Sequence, residues 1–242
     1  MVERLACTEE VAGSIPVRST VLTIIDRTSW DHIMKNIYFV RHGESEGNQA
    51  RLYQSSETSL SEKGHSQAKL IADRFSNIEV EIIISSDYIR AKQTAQYISE
   101  VKGKDIIESQ LFRERKRPSI QENQSKETPE LMAIDKEIED NWEVLDYRHS
   151  DEENFTDLRQ RAKECFEFLE NMTEDNIVVV THKNFLYCLV WYRLFGGKVT
   201  PREANIITND FVVSNTGILW MQLNEENLDW DIITWNDHAH LG

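Results

Sequence analysis

Short, densely apolar runs alternate along this chain with stretches whose apolar residues recur at helical spacing. Asn36-Ile37-Tyr38-Phe39-Val40, Val80-Glu81-Ile82-Ile83-Ile84-Ser85, residues 105–108 and Asn176-Ile177-Val178-Val179-Val180-Thr181 predict strands. Runs this apolar suit strands covered on both faces. Gly217 to Leu223 and Trp230 to Trp235 predict a later pair flanking the polar turn Asn224-Glu225-Glu226-Asn227. Between Ser61 and Phe75, residues Ala68, Ile71, Ala72 and Phe75 follow the i, i+3, i+4, i+7 spacing of a helix face, with Ser61 as N-cap. A second helix follows the 80–85 strand, with Ala91, Ala95 and Ile98 on one face and Gly103 as its stop. Phe155, Leu158, Ala162, Cys165, Phe166 and Leu169 make the strongest stripe. Each stripe is read as a core face. The alternation predicts an α/β fold of three layers, a mainly parallel sheet flanked by helices.

Two regions break the pattern. From Arg113 to Pro129 the chain is polar and charged, with Pro118 and Pro129 at its bounds, and predicts a long loop before a helix over roughly 131–142. Loops of that length are often lids or disordered. Residues 1–33 have neither helical nor strand periodicity, and Glu3, Glu9 and Glu10 interrupt any apolar core of a secretion signal. Val11 to Thr20 resembles the translation of a bacterial transfer-RNA gene, and Met34-Lys35 stands just before the first strand. The expectation is therefore a disordered or mis-translated extension over 1–33 and one domain over 34–242.

Composition narrows the partners. The 242 residues are 40% apolar and 29% charged, ordinary for a globular protein with one sizeable core. The 27 basic residues stand against 42 acidic ones, giving a formal net charge of −15, which argues against nucleic acid or an anionic membrane as partner. An anionic substrate needs a local basic pocket. Cys7, Cys165 and Cys188 have no metal-type spacing, and the last two lie in apolar helical patterns, which points to a reducing cytoplasm. The longest nearly apolar run, Phe185 to Tyr192, is far short of the ~20 residues that span a bilayer.

Candidate chemistry collects at strand ends. Strand 36–40 delivers Arg41 and His42, strand 80–85 leads to Arg90 in the first turn of the next helix, and strand 176–181 delivers His182. In a parallel sheet these ends share one edge, where open α/β folds bind their ligands. Arginine presents a fixed fork of donors to phosphate oxygens and stays charged. A neutral imidazole has a lone pair that can attack phosphorus, while a protonated one stabilises the oxygens. His32, His65, His149, His238 and His240 are assigned to structure or solvent, and no trio has the company of a metal site. No metal and no cofactor is expected.

Several ordered landmarks carry a likeness. Arg41-His42-Gly43-Glu44 after a strand, Asn48 shortly beyond, Leu60-Ser61-Glu62-Lys63-Gly64-His65, Ser85-Ser86-Asp87-Tyr88-Ile89-Arg90-Ala91 and Val178-Val179-Val180-Thr181-His182 are similar to the histidine phosphatase superfamily, the group with the phosphoglycerate-mutase-like fold. The likeness extends from Met34 to the C-terminus. It implies that His42 is the nucleophile of a phosphohistidine intermediate and that Arg41, Arg90 and His182 clamp the phosphoryl oxygens, with Asn48 adding a donor. It also implies a general acid in a Leu-x-x-Glu setting, which Leu111-Phe112-Arg113-Glu114 fits, so Glu114 would protonate the departing alkoxide.

Two departures stand out. Lys183 follows His182 where the family usually has glycine, and Glu114 runs into Arg115-Lys116-Arg117-Pro118-Ser119 in place of the glycine-containing stretch of the mutases. The cluster Arg113, Arg115, Lys116 and Arg117 either steers anionic substrates or is solvated loop charge. The function expected is hydrolysis of a small phosphomonoester through His42. The alternatives are a cofactor-dependent phosphoglycerate-type mutase and, from another class, a phosphate-binding or signalling protein without turnover. The sequence leaves the substrate and the oligomeric state open.

Overall fold

The computed structural model describes residues 34–242. The expectations for residues 1–33, with Cys7 and His32, lie outside the described residues. Strands β1 (Met34–Arg41), β2 (Ile82–Ser85), β3 (Ile106–Glu108), β4 (Asn176–Thr181), β5 (Ile218–Asn224) and β6 (Asp229–Asp237) form one sheet in the order β3-β2-β4-β1-β5-β6. The first four run parallel to one another, and β5 and β6 are antiparallel additions beyond β1.

Alternation along the central strands explains the layers. In β4, Ile177 and Val179 join one apolar cluster while Val178 and Val180 join another, because successive side chains point to opposite faces. In β1 the same division separates Ile37 and Phe39 from Val40. One face is covered by α2 (Glu62–Phe75) and α3 (Ile89–Lys102), whose Ile71, Phe75, Ala91, Ala95 and Ile98 pack there. The other is covered by α5 (Phe155–Glu170), α6 (Lys183–Phe195) and α7 (Pro201–Asp210). This is the expected three-layer α/β architecture.

Local signals behave as their chemistry requires. Ser61 accepts from the Gly64 N–H at the start of α2, and Gly103, at φ 62°, ends α3 in the left-handed conformation. The one-turn helix α1 (Glu46–Gln49) has a capping box between Ser45 and Asn48. Two expectations need correction. The helix placed over 131–142 is α4 (Pro129–Asp140), because Pro129 takes the first helical position, where its missing N–H costs nothing. The 113–129 segment is irregular but holds a single 3-10 turn, Ser119–Gln121.

Candidate active site

Register brings the strand ends together. Arg41 pairs with Thr181 and Ser85 with Val180, so the residues that follow β1, β2 and β4, namely His42, Ser86 and His182, emerge side by side. Arg41, His42, Asn48, Arg90 and Glu114 line one cavity of about 130 Å³. His182 lies behind it, fully buried, with its ring centroid 5.1 Å from that of His42.

The His42 ring is held by its own neighbour. Nδ1 lies 2.6 Å from the Gly43 carbonyl oxygen, which can only accept, so Nδ1 carries the proton and Nε2 keeps its lone pair. Burial, then Arg90 and Arg41, depress its pKa well below the ordinary histidine value, against the opposing pull of the Gly43 carbonyl. The ring is neutral at pH 7. His182 is depressed for the same leading reason, burial, followed by Arg90 and His42. A protonated His182 is thus disfavoured. Its Nε2 sits 2.9 Å from the Ser86 hydroxyl, and its Nδ1 is buried without a partner.

The two arginines are tethered but not neutralised. Arg90, 2% exposed, donates through Nη1 to the Ser55 carbonyl, and Arg41 donates through Nη1 to the Val213 carbonyl. Neither has a carboxylate within ion-pair distance among the described residues, and the Nε of each is buried without a partner. Burial lowers Arg90 to about 10, so it stays charged at neutral pH. Asn48 spends its Oδ1 on the backbone N–H and hydroxyl of Ser45, which leaves its amide N–H groups for the cavity.

Glu114 is positioned by helix α6. Its Oε1 accepts from the backbone N–H groups of Arg115 (2.9 Å), Asn184 (3.1 Å) and Phe185 (3.2 Å), two of them orphan donors of the α6 first turn. Oε2 has only a 3.3 Å contact with Asn184 N–H and is the freer oxygen. The loop carrying Glu114 is clamped by Arg161 of α5, which donates to the carbonyls of Leu111, Arg113 and Glu114 while pairing with Glu153 at 2.7 Å.

Sequence reasoning missed Arg161, Ser86 and Asn215, whose Nδ2 donates to the His42 carbonyl. Only the serine had a visible signal, its place directly after a strand. The basic cluster divides. Arg115, Lys116 and Arg117 line the cavity, whereas Arg113 is turned away into a salt bridge with Asp87. Lys183 also lines it, at the first position of α6. Gly64 is required by proximity: a Cβ there would lie 1.8 Å from the Glu44 carbonyl oxygen, so a side chain would push α2 off the loop that follows His42.

Comparison with known proteins gives a consistent picture. The profile of the histidine phosphatase superfamily, branch 1, matches residues 37–238. A Hydrogenobacter thermophilus protein provisionally named phosphoserine phosphatase 2 is 29% identical over 160 residues, covering 65% of this chain and 77% of the relative. The probable phosphoglycerate mutase GpmB of Serratia proteamaculans is 32% identical over 160 residues, covering 65% and 74%. Among solved structures, Bacillus stearothermophilus YhfR superposes with a TM-score of 0.73 at 22% identity, over 86% of this chain and 99% of that one.

Proposed function

This chain belongs to the histidine phosphatase superfamily, and from that premise we propose that it hydrolyses a small phosphomonoester at His42 in two steps. The observation that carries the reading is the His42 ring, neutral, with Nε2 free and two carboxylate-free arginines beside it.

In the first step the Nε2 lone pair attacks phosphorus, and the bond from phosphorus to the ester oxygen breaks. Glu114 gives the departing oxygen a proton, so the product leaves as an alcohol. Arg41, Arg90 and the Asn48 amide hold the three phosphoryl oxygens as charge redistributes. Phosphorylated at Nε2 and still protonated at Nδ1, the ring is cationic, and the Gly43 carbonyl stabilises that charge. His182, its Nδ1 unpartnered, takes up a proton when the phosphoryl oxygens supply the missing negative charge, and then donates to them. In the second step water attacks phosphorus, Glu114 accepts its proton, and the bond between phosphorus and Nε2 breaks, returning neutral His42.

A mutase would need a cavity closed to water. Here Lys116, Glu122, Lys126 and Lys183, all exposed residues, form part of the wall, which favours hydrolysis. A binding protein without turnover needs arginines but no free imidazole. No helix among the described residues is long and apolar enough to cross a membrane. The cytoplasm remains our assignment, on the two free, buried cysteines Cys165 and Cys188.

Rapid-quench labelling with a phosphorylated substrate tests the reading. Wild type is expected to yield an acid-labile phosphoprotein, and His42→Ala to lose both label and turnover, the latter on the order of 10⁴-fold or more. Undiminished turnover in His42→Ala, or isomerisation of 3-phosphoglycerate with little phosphate release from p-nitrophenyl phosphate, rejects it.

A further inference from the structure

The cavity holds more positive charge than a phosphoryl group requires. Beyond Arg41 and Arg90, five further cations line it: Arg115, Lys116, Arg117, Lys126 and Lys183. Two of these are neutralised by carboxylates outside the cavity, Lys116 by Asp151 at 2.9 Å and Arg117 by Asp135 at 3.0 Å. Arg115, Lys126 and Lys183 have no carboxylate within ion-pair distance among the described residues.

Each of the three lies instead over an aromatic ring. Arg115 is 4.6 Å from the Trp142 centroid, Lys126 is 5.7 Å from that of Tyr53, and Lys183 is 5.8 Å from that of Tyr187. An aromatic face attracts a cation without cancelling its charge, and it leaves N–H donors free. Arg115 goes further, with a buried Nε that has no partner, the feature it shares with Arg41 and Arg90. Partial burial of its ammonium end and then Arg117 push Lys126 down from its ordinary pKa against the pull of Glu114 and Asp135, and Lys183 adds a smaller push in the same direction. Such crowding of like charge is relieved by an anion.

Charge counting sets the size of the demand. The unpaired cations are Arg41, Arg90, Arg115, Lys126 and Lys183, and the carboxylates lining the cavity are Glu114 and Glu122, which leaves an excess of three, or of four while Glu114 carries the proton it donates. A phosphoryl group brings about two negative charges. Roughly one to two positive charges are left unmatched. Resting on the phosphatase reading of the same cavity, we propose that the alcohol part of the substrate bears a second anionic group, a carboxylate or a further phosphate, bound by Arg115, Lys126 and Lys183.

Two pairs of esters separate the sources. O-phosphoserine against O-phosphoethanolamine differs only by a carboxylate, and fructose 1,6-bisphosphate against fructose 6-phosphate by a second phosphate. In one pair or the other, wild-type kcat/KM for phosphate release is expected to favour the more anionic member by about tenfold or more, the scale of one charge-assisted contact. In the double variant Lys126→Met, Lys183→Met that ratio should fall to less than about threefold, and Lys183→Arg alone should keep it. Equal kcat/KM within both pairs, or a preference that survives loss of both lysines, overturns the proposal while hydrolysis of p-nitrophenyl phosphate leaves the phosphatase reading intact. Should no ester be hydrolysed, calorimetric binding of the same pairs to the wild-type protein decides: tighter binding of a more anionic member supports the second subsite, and equal affinity within both pairs refutes it.

Discussion

At the scale of single residues, what could be read in advance was chemistry attached to a strand end, and what could not was chemistry attached to a neighbour. Arg41, His42, Arg90 and His182 follow or flank strands that the apolar runs reveal, so their convergence follows from parallel pairing. The tautomer of His42 depends on a carbonyl one residue away, and the free amide of Asn48 on a capping hydroxyl three residues back. Neither is visible until the backbone is placed. Glu114 was legible only through family likeness, since nothing in its spacing announces that the first turn of α6 will hold it. Its role has a direct test. Glu114→Gln is expected to slow hydrolysis of alkyl phosphates by about 10²-fold or more, because an alkoxide cannot leave unprotonated. It should slow p-nitrophenyl phosphate far less, since that phenolate is stable as an anion. Equal slowing across leaving groups would assign Glu114 another task.

Secondary-structure elements show where periodicity helps and where it fails. The stripes of α2, α3 and α5 each face one cluster, so their 3.6-residue spacing was readable. Helix α6 is buried around most of its circumference, from Phe185 to Trp191, and a helix apolar on every side has no period to detect. Helix α7 carries a local signature in place of a stripe, the capping box of Thr200 with Glu203 around Pro201. The link between α5 and the Glu114 loop belongs to this scale too, since Arg161 joins elements about fifty residues apart. Arg161→Met should cost about 2–3 kcal/mol of stability, because Glu153 loses its ion pair and three carbonyls lose a donor. It should also reproduce the leaving-group dependence of Glu114→Gln, at roughly 10–100-fold lower kcat for alkyl phosphates. Lowered stability with an unchanged leaving-group pattern would make Arg161 a brace for the fold alone.

For the molecule as a whole, the sheet concentrates positive charge at one edge of a protein whose formal net charge is −15. That concentration affects stability. His42 and His182 are both held well below the ordinary value of 6.5 in the folded state, chiefly by burial. Below pH 6.5 the unfolded chain therefore binds protons that the folded one refuses, and stability declines as pH falls. Above 6.5 both states are neutral at these rings and the contribution is complete. Each ring adds up to about 1.4 kcal/mol per pH unit to the slope. Hydrogen-bonded carboxylates such as Asp157 and Glu152 are also depressed, but their losses begin only as pH falls into the ordinary carboxylate range, about 4. Denaturant unfolding in phosphate-free buffer should show stability already dropping between pH 6.5 and 5.5, with a shallower slope in His182→Gln. A flat profile over that interval would mean that the rings are not held neutral by the fold.

The Arg161 clamp does not stop at Glu114, because Glu153, its carboxylate partner, also accepts from the Lys116 backbone N–H at 2.8 Å. The side chains of the mouth add fastenings of their own, Asp151 to Lys116 and Asp135 to Arg117. Lys183 likewise stands between His182 and Asn184, whose N–H holds Glu114, so the proposed acid and the cations around it hang from one shared bracket. A change at the rim is therefore expected to reach the engine beneath it, and refitting this cavity for another guest means retuning both together.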